Sequence, residues 1–211
     1  MSKILTDFLL TFLNGITDNG KIITMIVSMF PLIELKGAIP IGTLLGENLA
    51  TTALLAYIGS TLICIPIFFL LVPIFNLLKK IKFIKRFIEK IEAVLSSKAQ
   101  KLAQKHNGKA EEVKIRFLST ALLIFVAVPF PVTGVWTGTA IAVFVGLSFK
   151  DSFIPLILGN LIAGSIITLL TFLFKDYVDL IITALFIIAL IMLITFIIKI
   201  IKSKPTPPTE N

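Results

Sequence analysis

The sequence predicts an all-α polytopic membrane protein built as an inverted repeat, and three observations lead there. Mean hydropathy is +1.00, and 56% of residues are apolar against 15% charged, a balance outside the range of water-soluble domains. Uncharged runs cover residues 49–78, 117–149, 152–174 and 180–198. Each reaches the roughly 17–25 residues that about 30 Å of hydrocarbon demands. Finally, sliding the chain by 100 positions lays Pro31 on Pro131, Gly46 on Gly146, Gly59 on Gly159 and Ser60 on Asn160. In each half a 12-residue apolar segment (22–33, 117–128) meets a Pro/Gly break, a short return segment follows, and a long apolar helix closes the unit. We read residues 1–211 as one membrane domain.

Residues 1–20 are too short to span, and Asp7 interrupts their apolar pattern. A retained helix lying in the headgroup layer is expected, with the N-terminus external. The first repeat covers 21–78, as a re-entrant hairpin over 22–46 and a transmembrane helix over 49–78. Its break carries Pro31, Gly37, Pro40 and Gly42, with Glu34 and Lys36 set among them. In a regular helix residues i and i+2 point apart, so a Glu34–Lys36 pair requires an unwound backbone.

Residues 79–116 form a linker holding twelve of the twenty Lys and Arg residues against four acids. Ile81, Ile84, Phe87, Ile88, Ile91, Val94 and Leu95 recur at helical spacing, with lysines filling the other face. A basic amphipathic helix suits an anionic inner leaflet, so the partners expected for 79–105 are membrane lipids rather than nucleic acid. His106 falls in the polar loop after it.

The second repeat and closing helix cover 117–201, as a hairpin over 117–147 and helices over 152–174 and 179–201. Pro129, Pro131, Gly134 and Gly138 break its hairpin, with the second half-helix starting near Val135–Thr137, as the first is expected to start at Ile39–Ile41. Residues 202–211 are read as a disordered tail. Lys199, Lys202 and Lys204 hold that tail in the cytoplasm with the linker, and three full crossings after Arg116 would leave it on the wrong side. One block must enter and return, and the block broken by "VPFPVTGVWTG" is the one. The helix over 49–78 must deliver its end to the cytoplasmic linker. The first hairpin therefore opens outward and the second inward.

Non-helical backbone at that depth cannot face lipid, because each unpaired amide costs several kcal/mol. The two tips must pack together or line a wet cavity, with Glu34, Lys36, Thr133 and Trp136 as the candidate substrate- or ion-binding residues. Pro66, Pro73 and Pro155 read as kinks, and Gly59, Gly159 and Gly164 as points of close helix packing. Cys64 reads as a small core residue. No Ser/His pair, HExxH or GxSxG is present, so an enzyme is not expected, nor a metal or cofactor.

At "PLIELKGAIPIG" and "VPFPVTGVWTG" the chain resembles the putative small multidrug export protein family of prokaryotic membranes. The usual first motif of that family has Arg where Lys36 stands, and its second has Gly where Val132 stands. Lys keeps the positive charge but loses the bidentate fork. More distantly, paired hairpins with charge and proline at their tips look like DedA proteins and lipid scramblases. The resemblance implies a multi-pass transporter or exporter of the cell membrane working by alternating access. It also implies an alternative, a lipid or polyprenyl-phosphate flippase; a membrane scaffold is the third possibility. Glu34 would then couple protons or bind a cation, Lys36 would attract an anionic group, and a homodimer would enlarge a thin cavity.

Overall fold

The computed structural model describes Thr11, Gly15 and residues 17–31, 33–80 and 110–202. Most of the expected interfacial segment, the linker from residue 81 to 109 with His106, and the tail beyond Lys202 lie outside these residues. Among the described residues every regular element is helical: α1 Gly20–Ser28, α2 Glu34–Leu44, α3 Leu49–Leu78, α4 Ala110–Ala127, α5 Val135–Phe144, α6 Phe149–Leu173, a single 3-10 turn Lys175–Tyr177, and α7 Val178–Lys202. Two of them, α3 and α6, are long and apolar enough to cross a membrane.

Local chemistry explains the boundaries. Asn19 caps α1, its side chain accepting from the amides of Lys21 and Ile22 at 3.1 and 3.4 Å. Asn48 caps α3 by accepting from Ala50 N, and Ser148 caps α6 by accepting from Asp151 N. The turns before these caps are built alike. Leu45, Gly46 and Glu47 donate to Ile41, Thr43 and Gly42; Val145, Gly146 and Leu147 donate to Ile141, Val143 and Ala142. Each turn ends its helix with a glycine at positive φ, +84° at Gly46 and +77° at Gly146, the backbone state only glycine enters without penalty.

Helix α4 begins ahead of residue 117, where the apolar run starts. Glu111 and Glu112 fall in its first turn, where acids complement the free amides of a helix start. At 18 residues it is about 27 Å long, whereas α1, α2 and α5, with 9, 11 and 10 residues, each reach only about 14–17 Å.

The motif "ELKGAIP" departs from the expected unwound tip. Helix α2 starts at Glu34, not at Ile39–Ile41, so Gly37, Pro40 and Gly42 lie inside it and the chain reverses over Met29–Ile33. The glycine at 42 serves contact rather than turning. A Cβ there would run into Thr24 Oγ1, and would stand 2.6 Å from Thr52 Cγ2. Gly138 likewise sits within α5, where a Cβ would come 2.7 Å from Val126 and 2.8 Å from Leu156.

Packing comes in matched sets. Helix α1 lies on α2 and α3, as α4 lies on α5 and α6; α2 packs on α3 as α5 does on α6; α2 also reaches α6, as α5 reaches α3. Gly59 brings α1 onto α3, since a Cβ would meet Met25 O at 2.5 Å; Gly159 brings α4 onto α6, where it would meet Leu123 O at 2.7 Å. Helices α3 and α6 cross where Asn160 Nδ2 donates to Ser60 Oγ at 2.7 Å and to Thr61 Oγ1 at 3.2 Å. Phe68 and Phe69, late in α3, pack on Phe149, early in α6, with both pairs of ring centroids 5.2 Å apart. At the other end Leu49 and Ala53 share a groove with Thr168 and Phe172. The two helices therefore run antiparallel. Helix α7 packs on α2, and no helix matches it among the described residues.

Two cores result. Ile23, Val27, Leu35, Ile39, Ala56 and Ile167 form one; Cys64, Leu122, Val126, Val135, Ala142 and Leu156 form the other. Cys64 is 1% exposed within the second. Between the cores lies a charged pair.

Candidate functional site: a buried Glu–Lys pair at two helix starts

Glu34 and Lys36 are 5% and 3% exposed, and Lys36 Nζ donates to Glu34 Oε2 at 3.4 Å. The backbone makes this i, i+2 pairing possible. Glu34 has φ +49°, a left-handed value that turns its side chain back over the start of α2. Such a conformation costs a non-glycine residue about 1–2 kcal/mol, and strain of this kind concentrates at functional sites.

The other carboxylate oxygen is held by the second half of the chain. Helix α5 starts after Gly134, which has no side chain to cap the free amides of its first turn. Glu34 supplies the missing group: its Oε1 accepts from Trp136 N at 3.1 Å across 102 positions of sequence. A Cβ added at Gly134 would overlap the Glu34 carboxyl group outright. Only glycine admits the carboxylate here. A negative group at a helix start is stabilised by the aligned peptide dipoles. The Trp136 indole adds a second tie, Nε1 donating to Met29 O at 2.9 Å, where Met29 ends α1.

Glu34, Lys36 and Trp136, expected to share a site, are thus brought together, and Gly134 joins them. The Thr133 hydroxyl is turned to backbone carbonyls rather than to the pair. It lies 2.7 Å from Val128 O and 2.8 Å from Phe130 O, satisfying carbonyls left free where α4 ends. Beside it Val132 has φ +72°, so among the described residues each half of the chain has one non-glycine residue in the left-handed region, Glu34 just after the first reversal and Val132 within the second. Pro31 lies in the first reversal, and Pro129 and Pro131 lie in the second.

One carboxylate and one ammonium cancel formally, while the starts of α2 and α5 add partial positive charge, so the local field is positive. A separate groove of about 630 Å³ runs between α3 and α6, lined by Leu49, Tyr57, Leu161, Gly164, Thr168 and Phe172 among others. Its wall at Gly164 rests against Leu35, whose Cδ1 would be 3.3 Å from a Cβ there. Leu35 stands between Glu34 and Lys36 in sequence. Two further hydroxyls, Thr52 Oγ1 and Thr171 Oγ1, are buried without a hydrogen-bond partner among the described residues.

Two helices of membrane-crossing length, packed with shorter helices around a buried ion pair, define a small helical membrane protein. The chain belongs to the putative small multi-drug export protein family, whose pattern it matches over residues 34–166. The matched region opens on Glu34 and runs into α6, leaving α1 and α7 outside it. No curated protein and no solved structure matches the chain.

Proposed function

We propose that the protein is a secondary transporter of the cell membrane, moving a small or amphiphilic substrate by alternating access at the Glu34–Lys36 site. The observation that carries this reading is the junction itself: the one buried carboxylate among the described residues belongs to α2 and is held at the start of α5. Any ligand engaging Glu34 therefore acts on both halves at once. The family name agrees with an export role.

The reading includes an inverted repeat. The matched packing sets, the two like-built turns at 45–47 and 145–147, and the antiparallel crossing of α3 and α6 favour a two-fold axis lying in the membrane plane. Helices α1, α2 and α5, at about 14–17 Å, are half the hydrocarbon thickness, and α4, at about 27 Å, starts in the charged segment ahead of residue 117 and has only its apolar end from Phe117 for the membrane; α1–α2 and α4–α5 are on that basis proposed as re-entrant hairpins entering from opposite faces. In this scheme α7 is a third crossing, and the basic linker and tail are cytoplasmic. Glu34 is the group proposed to couple protons to transport.

A flux assay tests the proposal. The full-length protein in proteoliposomes should move at least one of inorganic phosphate, a fluorescent anionic lipid and a lipophilic cation, faster with a pH gradient than without. Glu34→Gln should reduce that flux at least tenfold while the protein stays folded. A substitution that leaves flux intact removes the coupling role.

A second reading, a flippase of DedA-like type for lipid or polyprenyl-phosphate headgroups, is favoured by the α3–α6 groove. It is apolar, and its wall at Gly164 rests against Leu35, the sequence neighbour of both charged residues. Movement of the anionic lipid alone in the same assay selects this reading.

A further inference from the structure

We infer that Glu34 is an internal stand-in for an oxyanion ligand, so that the substrate class of this site is an anion, a carboxylate or phosphate group that takes the place of the Glu34 side chain. This deepens the transporter reading and rests on it for the site's purpose.

The two oxygens of Glu34 already receive what an external oxyanion needs: a backbone N–H at a helix start, at 3.1 Å from Trp136 N, and an ammonium, at 3.4 Å from Lys36 Nζ. The lysine's donor capacity is mostly unused. An ammonium has three N–H donors, yet among the described residues the one hydrogen-bond partner of this 3%-exposed side chain is that single long contact. A phosphate or carboxylate presents more acceptor positions, at shorter range, than one oxygen of a tethered side chain.

Charge decides between anion and cation. Glu34 is the only carboxylate among the buried residues described. With its side chain swung away, the groups that faced it are the Lys36 ammonium and the start of α5, both positive in character. An arriving anion replaces like with like. A cation would have to draw Glu34 away from both donors while sitting beside Lys36, against like-charge repulsion. The gap at Gly134, which a single methyl group would close, is the space the oxyanion fills.

Trp136 is the only tryptophan in the chain, and its fluorescence reports on this place directly. The full-length protein in a non-ionic detergent is titrated with inorganic phosphate, with dodecyl phosphate and with tetraphenylphosphonium. Glu34→Gln keeps the side-chain shape and an acceptor for Trp136 N but removes the competing charge. It should bind at least one phosphate at least tenfold more tightly than wild type, and Lys36→Gln should abolish that binding. Should the glutamine variant fail to fold, Glu34→Asp, one methylene short of Trp136 N, should still bind phosphate several-fold more tightly.

Gain with both phosphates assigns a free anion, and gain with dodecyl phosphate alone assigns an amphiphile headgroup; either supports the inference. Unchanged or weaker phosphate binding in the folded variants overturns it, as does tetraphenylphosphonium binding that Glu34→Gln eliminates. Equilibrium binding does not need flux. Enhanced binding by Glu34→Gln beside a wild-type protein that moves nothing would refute transport and leave the anion site standing, while flux without enhanced binding would do the reverse.

Discussion

The position of Glu34 depends on two residues that give way to it. Its own backbone accepts φ +49°, and Gly134 withholds a side chain at the place the carboxylate needs. Gly134→Ala should therefore push the carboxylate from α5 and strand Lys36 as a buried, unpaired charge. Breaking one side of a buried ion pair costs on the order of 3–5 kcal/mol. We expect a large fall in thermal stability in detergent; a variant as stable as wild type would mean the carboxylate does not rest there. Val132 offers the opposite experiment. Relief of about 1–2 kcal/mol of left-handed strain, less the roughly 0.5–1 kcal/mol entropy cost of glycine, predicts that Val132→Gly stabilises the protein by about 1 kcal/mol. Thermal unfolding in micelles measures both. The expected packing of the two tips already set Glu34, Lys36 and Trp136 in one site, but the left-handed backbone of Glu34 and its seat against Gly134 were not readable from the residues alone. Glu34 and Lys36 stood out as charges in an apolar run, but a contact spanning 102 positions leaves no local trace. The offset of 100 contained one hint, that Glu34 aligns with Gly134.

Among the elements, the long helices were the legible part, because an uncharged run needs only length to declare itself. The run over 49–78 is helix Leu49–Leu78, and the run from 152 continues back to Phe149 because Ser148 and Asp151 cap its start. The short helices were less legible. Proline and glycine have two uses, breaking a helix and letting another approach. Pro40, Gly37 and Gly42 read as a break but sit within α2, whereas the reversal falls over Met29–Ile33. Thr133 read as a ligand group for a similar reason, since a polar side chain beside a break serves equally well to satisfy the carbonyls the break exposes. The α3–α6 crossing gives a prediction at this scale. Ser60→Ala should cost about 1 kcal/mol and Asn160→Ala, which also loses the contact to Thr61 Oγ1, somewhat more; the double variant should cost little more than Asn160→Ala alone, because the Ser60–Asn160 bond is shared. Additive losses would show that the two side chains act separately.

For the molecule as a whole, the proposed pair of opposed hairpins makes a statement about sides. Asn48 and Lys150 are both exposed, at the starts of α3 and α6, and antiparallel helices put those starts at opposite ends. Cys64 is buried, so single cysteines at 48 and 150 can be labelled against a quiet background. A membrane-impermeant maleimide on intact cells should reach Asn48→Cys and not Lys150→Cys; labelling of both from one side would end the opposed-hairpin scheme. Side and direction were argued from lysine placement, and the residues that carry most of that charge lie outside those described.

The crossing of α3 and α6 is packed unevenly. On one side of the Ser60–Asn160 contact the space is stopped with phenylalanine rings from both helices; on the other it is an open trough walled by Leu49, Tyr57 and Phe172. The helices behave like scissors jammed behind the rivet. Under the proposed alternating access, closing the other end would first have to displace the rings of Phe68, Phe69 and Phe149, whereas the trough is open among the described residues, so a rocking of the two helices would start from the side where α3 starts.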